Sequence, residues 1–207
     1  MSEIIIDKVI SRIYGHGRGW VFVPADFSDI ANPATIRSAL SRLVEKGNIR
    51  RIMRGVYDYP AESKLLNEIS PPDPEKIAQA IARSHGWTIL PDGNTSLNLL
   101  GLSTQVPSAW EYLSDGPYRS YEWFGNTMKF KHRTNKETTI LSLKTALIVQ
   151  ALKALGRQNV DDNVIMTISQ HLDGKERKRI QKEAMYVTDW VYEVIKRVCQ
   201  LEIQNSE

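Results

Sequence analysis

The sequence predicts an α+β fold in two parts, and three observations predict it. Between Pro33 and Tyr59 an apolar stripe at helical spacing (Ile36, Leu40, Leu43) runs into two short basic strands. Ser70-Pro71-Pro72-Asp73-Pro74 is a stiff, non-helical stop that divides the chain. Beyond it, strand-like segments with turn signals give way to long helical periods. Together these predict a small helical domain with a basic hairpin over residues 1–68. A mixed α/β domain with a small sheet and terminal helices is predicted over residues 69–207.

In order along the chain, Ile4, Ile5, Val9, Ile10 and Ile13 make the apolar stripe of a first helix, with Gly15 as its expected end. Residues 20–23 form a short strand candidate. Pro24-Ala25-Asp26-Phe27 opens a second short helix, with proline at an early helical position. Asn32-Pro33 is a turn with Asn32 as N-cap of the next helix. That helix stops at Gly47. Residues 49–53 and 56–59, joined by Arg54-Gly55, then read as a hairpin. Helix, strand, helix, turn, helix, hairpin is the order of a winged helix-turn-helix. Residues 61–70 suggest a short polar helix.

In the second part helices are expected at residues 74–85 and 95–100, strands at 87–90, 110–113, 118–124 and 127–132, and helices at 143–155, 163–171 and 184–201.

The helix and hairpin carry the clearest functional signal. Arg37, Arg42, Lys46, Arg50, Arg51 and Arg54 crowd into them. Opposite the apolar stripe lie Ala34, Ser38, Ser41 and Glu45, with Thr35, Arg37 and Arg42 alongside. Small residues between arginines make a face slim enough for a DNA major groove and able to donate to phosphates or base edges. Thr35, Arg37, Ser38, Ser41, Arg42 and Lys46 on the helix are therefore the candidate DNA-binding residues, with Arg50, Arg51, Arg54 and Tyr57 on the wing. The competing reading is an α+β segment whose basic hairpin is merely solvated. The pattern runs through every element, which favours DNA.

Charge distribution points the same way. Residues 1–60 hold nine Lys/Arg and six Asp/Glu, while residues 61–207 hold eighteen of each, so the whole net charge of +3 sits in the first part.

The 207 residues, 42% hydrophobic and 25% charged, suit a soluble protein with a real core. No apolar run reaches membrane-spanning length, and no secretory leader pattern opens the chain, so a cytoplasmic location and no membrane partner are expected. A single cysteine, Cys199, excludes an internal disulfide and reads as a packed small hydrophobe.

Signals for catalysis are poor. His16, His85, His132 and His171 are scattered, and no phosphate-cradling glycine loop is present. Asp161-Asp162 reads better as a helix cap than as a metal pair. No enzyme activity, metal or cofactor is expected.

Three segments keep two readings each. Residues 90–107 could be a ligand or partner loop, or a short helix with polar connections. Lys175-Glu176-Arg177-Lys178-Arg179 with Lys182 could be a second nucleic-acid contact, or a solvated helix face. Trp110, Tyr112, Tyr118, Tyr121, Trp123 and Phe124, beside Lys129, Lys131 and Arg133, have the composition of a single-strand stacking platform, although alternating strand aromatics usually pack a sheet. Lys129, Lys131 and Arg133 stay as a second nucleic-acid or partner patch.

FVPADF at 22–27, IRSALSRLVEKGNIRRIMRGVYDYP at 36–60, LPDGNTSLNLLGLSTQVP at 90–107 and KFKHR at 129–133 resemble the AbiEi-type antitoxins of bacterial abortive-infection toxin–antitoxin systems and their close relatives of unassigned function. The likeness covers most of the chain and is sharpest over 20–60 and 90–133. It implies a winged-helix domain that binds double-stranded operator DNA and represses its own operon. It also implies a C-terminal domain that counters a partner toxin of nucleotidyltransferase type without needing a stable complex. No motif assigns the antitoxin activity to individual residues. Dimeric binding on DNA belongs to the same expectation. A stand-alone regulator, whose second domain senses a small molecule or dimerises, is the alternative; an RNA-binding factor using the aromatic sheet is a third reading.

Overall fold

The computed structural model of the protein describes residues 3–63, 68–105, 108–133 and 141–201. These described residues fall into two units, one drawn from positions up to 87 with 122–125, the other from positions 88–121 and from 126 on.

In the first unit, α1 (Glu3–His16) buries Val9 and Ile13. It runs through Gly15 and ends only after His16, where Gly17 takes φ +82°, a conformation that side chains with a Cβ rarely adopt. Strand β1 (Val21–Phe22) follows, then a single 3-10 turn, Pro24–Phe27, in place of a full second helix. Helix α2 (Pro33–Glu45) starts as expected: the Asn32 side chain accepts the Thr35 amide, with Pro33 at the first helical position. β2 (Arg50–Met53) and β3 (Val56–Asp58) form the hairpin, turning at Gly55 with φ +81°. β3 also pairs with β1, giving a three-stranded antiparallel sheet in the order β1-β3-β2.

One core joins these pieces. Val9, Ile13, Phe22, Phe27, Ile36, Leu40, Leu43, Ile49 and Tyr57 are its buried members. Phe27 packs edge-on against Phe22, with ring centres 5.6 Å apart. Each such aliphatic or aromatic side chain contributes roughly 2 kcal/mol by leaving water, so the apolar stripe of α2 fixes which face it turns outward.

Residues 61–70 are not helical where described. β4 (Glu62–Ser63) and β5 (Glu68–Ile69) pair as an antiparallel ribbon. In this ribbon Glu62 stands opposite Ile69 and Ser63 opposite Glu68. α3 (Pro74–His85) is capped by Asp73 and stopped by Gly86 in the left-handed region. The sequence assigns this helix to the second domain, but it packs against β1 and β3. Arg83 donates to the Asp26 carboxylate and the Val21 carbonyl, and Lys76 to the Gly19 carbonyl. The first unit therefore extends to residue 87, and the proline-rich segment marks a turn inside it.

In the second unit a four-stranded sheet runs β6 (Ile89–Pro91), β7 (Trp110–Ser114), β9 (Asn126–His132), β8 (Arg119–Trp123). β6 and β7 are antiparallel; β7 and β9 are parallel. α4 (Gly93–Leu99) packs on α5 (Leu143–Leu155) so closely that a Cβ at Gly93 would stand 2.5 Å from the Ala154 methyl. α6 (Asp162–Gln170) and α7 (Gly174–Glu183) both pack on α8 (Asp189–Gln200), and α7 and α8 pack on α5. Leu100, Ile148, Leu152, Ile168, Ile180, Val191 and Ile195 are among the residues of this core. The helix expected from 184 to 201 is a 3-10 turn, Ala184–Tyr186, followed by α8. Cys199 is half-buried beside this core, and burial pushes its thiol pKa up. The architecture is α+β, and no described helix is long and apolar enough to cross a membrane.

Candidate nucleic-acid interface

Helix α2 buries Ile36, Ala39, Leu40 and Leu43, so its other side faces outward. Arg37, Ser38, Arg42 and Lys46 are exposed there, with Thr35 and Ser41 half-buried. Arg51 and Arg54 are exposed on the hairpin, while the Tyr57 ring is buried in the core. Arg37, Ser38 and Ser41 of the helix and Arg51, Arg54 and Tyr57 of the hairpin line one groove of about 880 Å3, with Pro24 and Gly55 at its edges. Six of the ten residues picked from sequence thus meet in one concavity.

Its electrostatics follow from what the cations do not touch. The side chains of Arg37, Arg42, Lys46 and Arg54 form neither a hydrogen bond nor an ion pair with another described residue. Arg51 is partly held: its guanidinium stands 5.5 Å from the Tyr57 ring centre and its Nη2 is 3.5 Å from the Tyr57 hydroxyl. Pre-oriented or free guanidinium groups beside small hydroxyl side chains are suited to phosphate oxygens and base edges.

Arg50 stands apart. Its Nε and Nη2 donate to the two carboxylate oxygens of Asp58 at 3.0 and 2.6 Å, and Nη2 also reaches the Ser70 carbonyl at 3.2 Å. The Asp58 side chain is only 2% exposed. Arg50 therefore holds the root of the hairpin together. Asp58 is the residue missed from sequence. No regular register announces it: a two-residue turn at Arg54-Gly55 would set Arg51 opposite Asp58, and a bulge between Arg51 and Met53 shifts the pairing so that Arg50 stands there instead.

The second patch is largely neutralised. Lys131 donates to Glu111 at 2.5 Å, and Lys129 lies 3.9 Å from the same carboxylate. The Lys131 hydrogen bond holds the Glu111 pKa below, and the Lys131 pKa above, its ordinary value. Arg133 is exposed at the end of β9. The sheet aromatics mostly pack: Tyr112 stacks on Phe130, Tyr121 meets Phe130 edge-on, and Tyr112, Trp123 and Phe130 are buried.

Other singled-out residues have local partners. Asp161 caps α6 through the Val164 amide, and Asp162 pairs with Arg197. His16 stacks on Trp20 and His85 on Trp87. His132 Nδ1 lies 2.9 Å from the Gly116 carbonyl. In residues 90–107, Asp92 caps α4 and Thr95 accepts the Glu111 amide. Val106 and Pro107 lie outside the described residues. Among the described residues, no three His, Cys, Asp or Glu are placed to hold a metal ion.

The chain belongs to a family of unknown function, DUF6088, whose profile matches residues 8–180. The comparison with curated proteins gives no match. Among solved structures, the Rv2827c protein of Mycobacterium tuberculosis is similar, with a TM-score of 0.41 and 14% identity over 96% of this chain and 77% of that one.

Proposed function

We propose that this DUF6088 member is a winged-helix protein that binds duplex DNA through α2 and the β2–β3 hairpin and represses its own operon. The observation that carries the reading is the groove in which Arg37, Ser38 and Ser41 from the helix meet Arg51 and Arg54 from the hairpin. α2 supplies groups for base edges in the major groove, and the hairpin supplies phosphate or minor-groove contacts. Four to five unpaired cations correspond to a fall in log affinity of about 4 per log unit of salt.

The antitoxin role rests on the resemblance of the four segments at 22–27, 36–60, 90–107 and 129–133 to AbiEi-type antitoxins. In this reading a nucleotidyltransferase-like toxin is the functional partner and the second unit carries the protection. The protein acts in the cytoplasm, without enzymatic activity of its own. A ligand-sensing second unit is the alternative; a polar groove of about 320 Å3 beside Asp92, Asn98 and Glu111 favours it.

Electrophoretic shifts on the protein's own upstream region, against random duplex over a range of salt, test the DNA reading. A specific, salt-dependent shift is expected. Equal affinity for both duplexes at every salt would remove it. A nucleotidyltransferase-like reading frame next to the gene, whose growth arrest the protein relieves, is the expected result for the antitoxin role.

A further inference from the structure

Helix α7 was ambiguous in sequence because acids alternate with its bases. The structure separates them. Glu176 turns back to the helix start, accepting the Asp173 amide, and pairs with Lys144. Glu183 is drawn to the start of α5, where it accepts the Ser142 amide and the Ser142 and Thr145 hydroxyls. Arg177 points inward and donates to the carbonyls of Ser169, Val198 and Leu201.

What remains outside is a stripe of one sign. Lys175, Lys178 and Lys182 are exposed, and their side-chain ammonium groups have no hydrogen-bond or ion-pair partner among the described residues. Their spacing of three and four places them on one helical face, opposite the buried Ile180 and Ala184. Four residues on, in the 3-10 turn that continues the helix, Tyr186 is 88% exposed. Elsewhere among the described residues of this unit Lys129, Lys131, Lys144 and Lys196 each face a glutamate and Lys153 stands singly on α5, so α7 is where unbalanced lysines gather into a run.

We propose that this stripe and Tyr186 form a binding surface for single-stranded nucleic acid, distinct from the duplex-binding groove of the first unit. Three ammonium groups spread over two helical turns, about 10 Å, track a phosphate backbone. An exposed aromatic at the end of such a track offers a base a stacking face, which a duplex, with its bases already stacked, does not use. The chemistry is the same for RNA and single-stranded DNA.

Fluorescence anisotropy of the full-length protein with labelled ~12-nucleotide oligo(U) and oligo(dT) tests it. Three phosphate contacts on a single strand predict an affinity loss of about 20-fold between about 50 and 200 mM salt. Replacing Lys175→Gln, Lys178→Gln and Lys182→Gln together should weaken binding at least tenfold and flatten that salt dependence. Tyr186→Ala should cost about tenfold while leaving the salt slope unchanged. These side chains are exposed, so unchanged thermal melting will show that the variants are folded. The pair Arg37→Ala and Arg54→Ala should leave oligonucleotide binding intact, which separates this surface from the duplex reading. No binding by the wild type, undiminished binding by the triple variant, or a Tyr186→Ala variant equal to wild type would overturn the proposal.

Discussion

Replacing Arg50 by alanine should unfold the first unit more readily and should not act as the loss of a DNA contact. Asp58 is 2% exposed and Arg50 is 25% exposed, and they share two hydrogen bonds at 2.6 and 3.0 Å. Removing the guanidinium strands a buried carboxylate at the junction of β2 and β3. Breaking a buried pair in this way costs about 3 kcal/mol, at the lower end of the usual range because Arg50 keeps some solvent. For a chain of this size that lowers the melting temperature by roughly 6 °C or more. Arg51→Ala and Arg54→Ala, which remove exposed side chains, should change stability by no more than about 0.5 kcal/mol. The assay is thermal and urea unfolding of the three variants beside duplex-binding titrations. Replacing both partners, Arg50→Leu with Asp58→Leu, should recover most of the loss, because no buried charge is left behind. An Arg50→Ala variant that melts with the wild type while losing affinity as Arg51→Ala does would refute the reasoning.

Arg51→Ala and Arg54→Ala should each weaken cognate and random duplex alike and reduce the salt slope by about 1, measured by titration at several salt concentrations. Glu183, held to a pKa of about 2 by hydrogen bonds from Ser142, Thr145 and Arg179 that outweigh its burial, stabilises the fold while ionised. Its contribution, on the order of 2 kcal/mol, is complete above the unfolded-state pKa of about 4.3 and is lost as pH falls through about 2. Glu183→Gln should therefore lower stability at pH 7 and flatten its decline between these pH values in urea titrations. A fragment ending at residue 68 lacks α3 and the Arg83–Asp26 bridge, so it should show no cooperative melt, whereas one ending at residue 87 should fold and shift duplex.

Local signals account for what was legible in the sequence. α2 begins at Asn32-Pro33 because a cap and a fixed φ start it there, and its apolar stripe fixes the outward face. The cations of that face then follow from spacing alone. Non-local contacts account for what was not. α3 joins the first unit through Arg83 and Lys76, bonded to residues 57 or more positions away. Lys129 and Lys131 are neutralised by Glu111 because β7 and β9 pair in parallel, a register that no local pattern announces. Arg50 is a different case. Charge alone groups it with Arg51, and the bulge between Arg51 and Met53 that sets it opposite Asp58 lies outside the regular register of a two-residue turn. On α7 the sequence shows mixed charge, and only the destinations of Glu176 and Glu183 reveal a face of one sign.

In the proposed function α2 reads bases while the hairpin holds phosphates. Arg37→Ala measured on cognate and random duplex at one salt concentration tests it most directly. If Arg37 donates to a guanine edge, cognate affinity falls by about 1–3 kcal/mol and random affinity falls less, so the preference for the cognate site collapses. A loss of the same factor on both duplexes would contradict base reading by this helix.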